Sequence, residues 1–577
     1  MPASNFSASL VADIVPGPDS SSPSFLTNVN GTLFFSTVDP TTGSPALWKS
    51  DGTTAGTVLV SSHGGSEYTP FNGSVYFSAG GLWKTDGTAA GTVLVSSVDA
   101  RELTVVDGKL FFRGTTSTDG SELWVSDGST AGTVLVKDLN PGSTTHWIQP
   151  RFGHRVKVTS VNSSTPLSLT DLNGRLMFSA SDGSHGRQLW VSDGTAQGTT
   201  MLTSSPKELR PQEFVVANGA LYFGTAGSGG TGMGLWMSDG TAAGTVMIHP
   251  FVYATSAETI NTGDRGDPVI TSVNSTVYFV ADDGHSGPEL WKSDGTAKGT
   301  VLVKDINPGA SGSDPVALTS VNGVLYFAAS DGVHGEELWK SDGTTAGTVM
   351  VQDINPGGAD AFDYWHLHGE ASFWFTNVNG LLYFTADDGT HGTELWQSNG
   401  TAAGTVMVRE IYPGAGPDGV PLSSNPSFLV AMNDKLYFTA TDPVHGTELW
   451  DPPPVRNRRA GAKMTLFSNI QSQVSNLGGT TLGVAEGHTI WLDDKNAAAW
   501  GWFVDRARRD DSEFKSPANQ GAKRRIDLLA VLEHELRHTL GDAKALKGEA
   551  VVHVTDHEPR IAVYDTFADE RNDGTSP

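Results

Sequence analysis

Leu325 to Gly357 reads LYFAASDGVHGEELWKSDGTTAGTVMVQDINPG, and this phrase recurs through four fifths of the chain in the general form LYFxADDGxHGxELWKSDGTxAGTVLVKDINPG. Its tryptophan falls at Trp48, Trp83, Trp124, Trp190, Trp236, Trp291, Trp339, Trp396 and Trp450, with a mean spacing near 50 residues. Each copy holds four short extended runs: one before an Asn-Gly, such as FLTNV (Phe25 to Val29), then LYF-type, ELW-type and TVLV-type runs. Asn-Gly, Asp-Gly and Gly-Thr pairs separate them, and such β-branched and aromatic runs broken by residues that tolerate positive φ are hairpin signals. No helical period competes. Four antiparallel strands repeated at about 40–50 residues is the pattern of β-propeller blades.

The two ends of the array fit together. The ninth copy stops at ELWDPPP (Glu448 to Pro454) without a TVLV run, whereas the chain opens with SLVADIVPG (Ser9 to Gly17), a VLVKDINPG without its ELW. A ring sealed by its own terminus requires this arrangement, and Leu10 to Ile14 are expected to complete the blade of Trp450. Closure also removes an open sheet edge. The fold class expected is mainly β: a propeller of about nine four-stranded repeats over 9–450, closed by the N-terminal strand. Nine exceeds the usual four to eight blades, so an open or split ring is the alternative.

Asp51, Asp86, Asp127, Asp193, Asp239, Asp294 and Asp342 open the SDGTxxGT turns, with Asn399 once in their place. A carboxylate there can accept backbone N–H bonds, and turn capping is preferred over repeated calcium sites, which want several oxygens at a DxDxDG-like spacing. The tryptophans read as packing between blades. These copies resemble the ELWxxDGT repeat of large bacterial surface and secreted proteins. The resemblance implies an architecture, an extracellular or cell-surface setting, and a cell-surface or matrix component as partner of the propeller; it implies no activity.

Two longer connections interrupt the rhythm, Pro141 to Val158 and Asp360 to Trp374. They bring His146, Trp147, Tyr364, Trp365, His366 and His368, which either line a ligand surface or pack on a neighbouring blade. His366 and His368 share one face of a strand and lack a third metal ligand.

Composition divides the chain. Of 577 residues, 68 are Gly and none is Cys, and the formal charge is −26. Residues 451–577 hold 17 Lys and Arg against 19 Asp and Glu, a net of −2, which leaves 20 against 44, a net of −24, for 1–450. The acidity argues against nucleic acid as a partner. Absence of Cys excludes disulfides, thiolate zinc sites and cysteine nucleophiles. No run reaches the roughly 18 apolar residues of a membrane span, and no basic or apolar signal segment is legible in MPASNFSASLVADIVPG.

A Pro- and Arg-rich linker, 451–463, leads to a different object, 464–577, expected to be a small α+β domain. RIDLLAVLEHELRHTL (Arg525 to Leu540) has the strongest helical pattern in the chain, with Leu529, Leu532, Leu536 and Leu540 on one side and Gly541 as a C-cap. Its other face carries HELRH. His534 and His538, at i and i+4, project side by side and can bind one Zn²⁺, while Glu535 lies alongside to take a proton from water. That chemistry is peptide-bond hydrolysis.

HELRHTLG (His534 to Gly541), with Gly483 to Phe514 upstream of it, resembles the matrixin-like metallopeptidases of the metzincin clan. The resemblance implies a zinc metalloendopeptidase acting on a protein or peptide substrate, an upstream strand that binds substrate backbone, and acidic loops holding structural calcium (Ca²⁺), for which Asp505, Asp510, Asp511 and Glu513 are the positions here. Two features depart from the family. Lys544 stands at the third zinc-ligand position and has no lone pair to offer, and no Met follows Met464 to form a methionine turn. Asp542, His553 or His557 are the replacements available. A noncatalytic surface or interaction propeller with a degenerate peptidase domain is therefore the competing expectation.

Overall fold

The structure is a computed structural model. It describes residues 8–452 apart from 40–41, 149–155, 206–207, 226–233, 252–268, 363–374 and 418, and beyond them the backbone of seven short strands between 471 and 565. The chain forms two compact units, Met1–Pro454 and Val455–Pro577.

The first unit is a nine-bladed propeller. Ser24–Val29, Thr32–Val38, Pro45–Ser50 and Val58–Ser61 pair in sequence order as blade 1. Blades 2 to 8 follow the same order at 66–96, 99–137, 167–201, 211–250, 270–304, 316–352 and 376–409. Blade 9 takes three strands from Ser427–Met432, Lys435–Asp442 and Gly446–Asp451, and its fourth from Ser9–Ala12 at the other end of the chain. Leu10 lies opposite Trp450, as the broken repeat at the two ends requires. The innermost strands of successive blades touch around the whole circle, from blade 1 through blade 9 and back to blade 1, so the ring is closed and not split.

Turn chemistry dictates the hairpins. Asn30 and Gly31 have φ of 51° and 82°, and Asn322 and Gly323 have 51° and 77°, the two positive values that match a type I′ turn to twisted strands. The LYF run then places Leu and Phe in the blade core: Leu325, Phe327 and Leu338 are fully buried, each contributing on the order of 2 kcal/mol of transfer free energy. The tryptophans pack between blades as expected. Trp339 of blade 7 shares one buried cluster with Tyr278, Val280, Leu290 and Val303 of blade 6, and Trp396 of blade 8 shares another with Tyr326, Leu338 and Val351 of blade 7.

In the second unit, Gln471–Ser475, Thr489–Asp493, Thr481–Glu486, Ala550–Val554 and Ile561–Asp565 form one sheet in that order, parallel only between the first two. Ile526–Asp527 is a strand paired in parallel with Trp502–Phe503. This corrects the expected start of a helix at 525: a β-branched Ile with ladder partners adopts the extended form there. The rest of the expected helix, 528–540, lies outside the described residues.

Candidate functional site

The motif residues of the expected zinc site, His534, Glu535, His538, Asp542 and Lys544, lie outside the described residues, as do the acidic positions Asp505, Asp510, Asp511 and Glu513, and His557. His553 sits in the strand Ala550–Val554, opposite Thr481 and Ala562. Of the two inserted connections, the first is a separate hairpin, Ser143–Ile148 with Val156–Val161, in which Trp147 faces Lys157 across the ladder and is 63% exposed. Tyr364, Trp365, His366 and His368 lie outside the described residues. Among the described residues no group of three His, Asp or Glu side chains is placed to hold a metal ion, and no helix is long and apolar enough to cross a membrane.

Three repeated polar devices account for most of the motif. In the SDGTxxGT turn, the Asp342 carboxylate accepts from the backbone N–H and the hydroxyl of Thr344 at 2.8 and 2.7 Å, and Thr344 Oγ1 in turn accepts from Gly347 N at 2.9 Å. These bonds hold the Asp342 carboxyl below the usual range, the side-chain bond to Thr344 most. The same circuit recurs at Asp51, Asp127 and Asp294. The turn aspartates are caps.

The glutamate of ELW is the second device. Glu337 is fully buried and accepts from the backbone N–H of Ile354 at 2.7 Å and of Asn355 at 3.1 Å, pinning the DINPG connector that leads to the next blade. Glu122 does the same for Leu139 and Ser164, and Glu448 for Ile14 and Ser21 across the ring closure. Burial outweighs these donors and pushes Glu289, Glu337 and Glu394 up to about 7. Third, the DGxHG loop pairs His334 Nδ1 with Asp331 Oδ2 at 2.7 Å, repeated at His185, His391 and His445, and the hydrogen bond to its Asp raises His334, His391 and His445.

Among the described residues, an open cavity of about 560 Å³ lies against the innermost strands of blades 1 to 5, lined by Thr27, Glu67, Glu102, Ser168, Glu213 and their neighbours. Those strands each carry a β-bulge: Ser66 pairs with Ser78 but Thr69 with Tyr76, and the residue after Ser66 turns to positive φ. Glu67, Glu102, Ser168 and Glu213 occupy this bulge with φ of 59°, 58°, 58° and 54°. Glu67 accepts from Leu103 N at 3.0 Å, and Glu102 from Leu169 N and from Arg113, both at 3.5 Å. Burial pushes Glu213 up to about 7. The sequence reading missed this ring, although a Glu two residues before the strand Thr in blades 2 and 3 is a visible signal.

Among solved structures, the chain is similar to a puromycin hydrolase, with 15% identity over 67% of this chain and 61% of that one and a TM-score of 0.31. It is also similar to a prolyl endopeptidase, at 12% over 73% and 54% with a TM-score of 0.36, and to the β-propeller domain of the Trilobed protease from Pyrococcus furiosus, at 11% over 58% and 98% with a TM-score of 0.29. This chain spans about three fifths of the length of the puromycin hydrolase it matches. No family model matches the sequence, and no curated protein matches it.

Proposed function

We propose that this chain is a zinc-dependent metalloendopeptidase of matrixin-like type, set at the cell surface or outside the cell, whose ELWxxDGT-type propeller binds or anchors. One observation carries the reading: HELRHTLG, His534 to Gly541, in a unit whose composition and charge differ from those of the repeats. The imidazoles of His534 and His538 fit zinc; Lys544 does not, and Asp542 is the nearest carboxylate in sequence that could replace it. Bound zinc would supply Lewis acidity toward the scissile carbonyl. Glu535 would take a proton from the attacking water and return it to the leaving amine. Acidic residues 505–513 would hold structural calcium.

The purified chain is expected to carry about one zinc, with His534→Ala losing it; no zinc retained at micromolar supply contradicts the reading. Lys544 supports a second one, a noncatalytic interaction propeller with a degenerate peptidase domain. That reading predicts no cleavage of casein even when zinc is supplied.

A further inference from the structure

We propose that the cavity at the centre of the propeller binds an alkylammonium group, presented either by a free polyamine or by lysine side chains of a polypeptide. The inference stands on the propeller alone and is independent of the chemistry of the C-terminal unit.

The backbone does not require glutamate at the bulge. Phe25, Ala317 and Phe428 hold the equivalent position in blades 1, 7 and 9 with φ of 55°, 56° and 52°, indistinguishable from those of Glu67, Glu102 and Glu213. Carboxylates have been placed at three positions where the fold accepts Phe, Ser or Ala, and all three line one cavity. All three are half-buried, and partial loss of hydration costs a carboxylate less when something opposite in charge faces it.

The cavity wall accepts hydrogen bonds far more than it donates them. Thr27, Thr69, Thr104 and Thr170 each donate their hydroxyl proton to the carbonyl two residues back, at 3.0 to 3.1 Å, so each presents only oxygen lone pairs to anything else. Glu67 and Glu102 each have one oxygen tied to a neighbouring backbone N–H, and Arg113 lies beside Glu102. Glu213 has no hydrogen-bond or ion-pair partner among the described residues. A wall of acceptors calls for a ligand made of donors, and an ammonium has three donors and no acceptor. Leu103, Leu169, Tyr68 and Phe214 line the same space and suit the methylene stem of such a group. A volume of about 560 Å³ is within the range of small-ligand sites. A chelated metal fits less well, because no three ligating side chains converge there.

The test is calorimetric titration of the full chain with spermidine and, separately, with N-acetyl-trilysine amide. Expected is one saturable site per chain, weakened at least about tenfold by Glu213→Gln, while Asp51→Asn, which removes the same charge from an exposed turn, leaves it unchanged. Glu213→Gln should fold with an unchanged or higher melting temperature, because it neutralises a carboxylate that lacks a partner. Tighter binding of spermidine assigns a free amine as the ligand, and tighter binding of the peptide assigns a protein partner. No saturable binding of either probe at millimolar concentration, equal loss with Asp51→Asn, or equal affinity in Glu213→Gln would overturn the proposal.

Discussion

Asn433 donates its side-chain amide to the carbonyl of Gly31 at 3.2 Å, although the two are 402 residues apart in sequence. The same bond joins Asn218 to Ser275, Asn274 to Gly323, Asn322 to Gly380 and Asn379 to Asp434, from one hairpin turn to the next blade's. The joint that closes the ring is therefore built like those inside it. Tyr437 of blade 9 lies against Gly52 of blade 1 just as Tyr278 of blade 6 lies against Gly343 of blade 7.

Removing residues 1–15 should open that joint. Glu448 would lose the N–H groups of Ile14 and Val15 and remain buried with Ser21 alone, and Gly446–Asp451 would become an unpaired edge. A loss of at least about 3 kcal/mol is expected, with self-association of the exposed edge. Thermal unfolding and size-exclusion chromatography check it; an unchanged melting temperature and a monomeric profile would count against closure.

Replacing Glu337 by Ala removes the acceptor of the buried Ile354 N–H and of the half-buried Asn355 N–H. The expected cost is about 2–4 kcal/mol, measured by chemical denaturation, and Glu337→Gln should recover part of it by keeping one acceptor.

The pH dependence of propeller stability follows from the same carboxyls. Glu289, Glu337 and Glu394 stand at about 7 when folded, above the ordinary 4.5, so the folded state binds more protons between those values. Their contribution is complete below about pH 4.5 and is lost as pH rises through about 7. His334, His391 and His445, raised by their Asp partners, lose theirs in the same direction as pH rises through their folded values. The turn aspartates are lowered, and their contribution disappears only as pH falls below the ordinary 3.8. Melting temperature should accordingly be a few degrees higher at pH 5 than at pH 8. A scan that rises from pH 5 to 8 would refute this.

Gly343 has φ of +86°, and a Cβ there would lie 2.3 Å from the Tyr278 hydroxyl. Gly343→Ala should destabilise by about 2 kcal/mol or more, and by clearly less in a Tyr278→Phe background, where only the dihedral strain remains. Equal costs in the two backgrounds would mean that Tyr278 does not press on the turn.

The blades were legible because each carries its own turn chemistry and core residues, and closure was legible because the repeat breaks in complementary ways at Trp450 and Leu10. The role of Glu337 was not, since its partners Ile354 and Asn355 lie beyond an intervening strand. Nor was the cavity against blades 1 to 5, because the bulge position changes from blade to blade, with Phe25, Glu67, Ser168 or Ala317, and so has no propensity signal of its own. At the C-terminal unit, the apolar period from Leu529 to Leu540 extended the expected helix back over Ile526–Asp527, which pair instead as a strand.

Cleavage of casein by the full chain, compared with Glu535→Ala at equal zinc content, tests the functional reading most directly. Wild type is expected to cleave and Glu535→Ala to lose at least about a thousandfold in rate while keeping its metal. Equal rates in the two proteins, or no cleavage by zinc-loaded wild type, would contradict the assignment of this chain as a metalloendopeptidase.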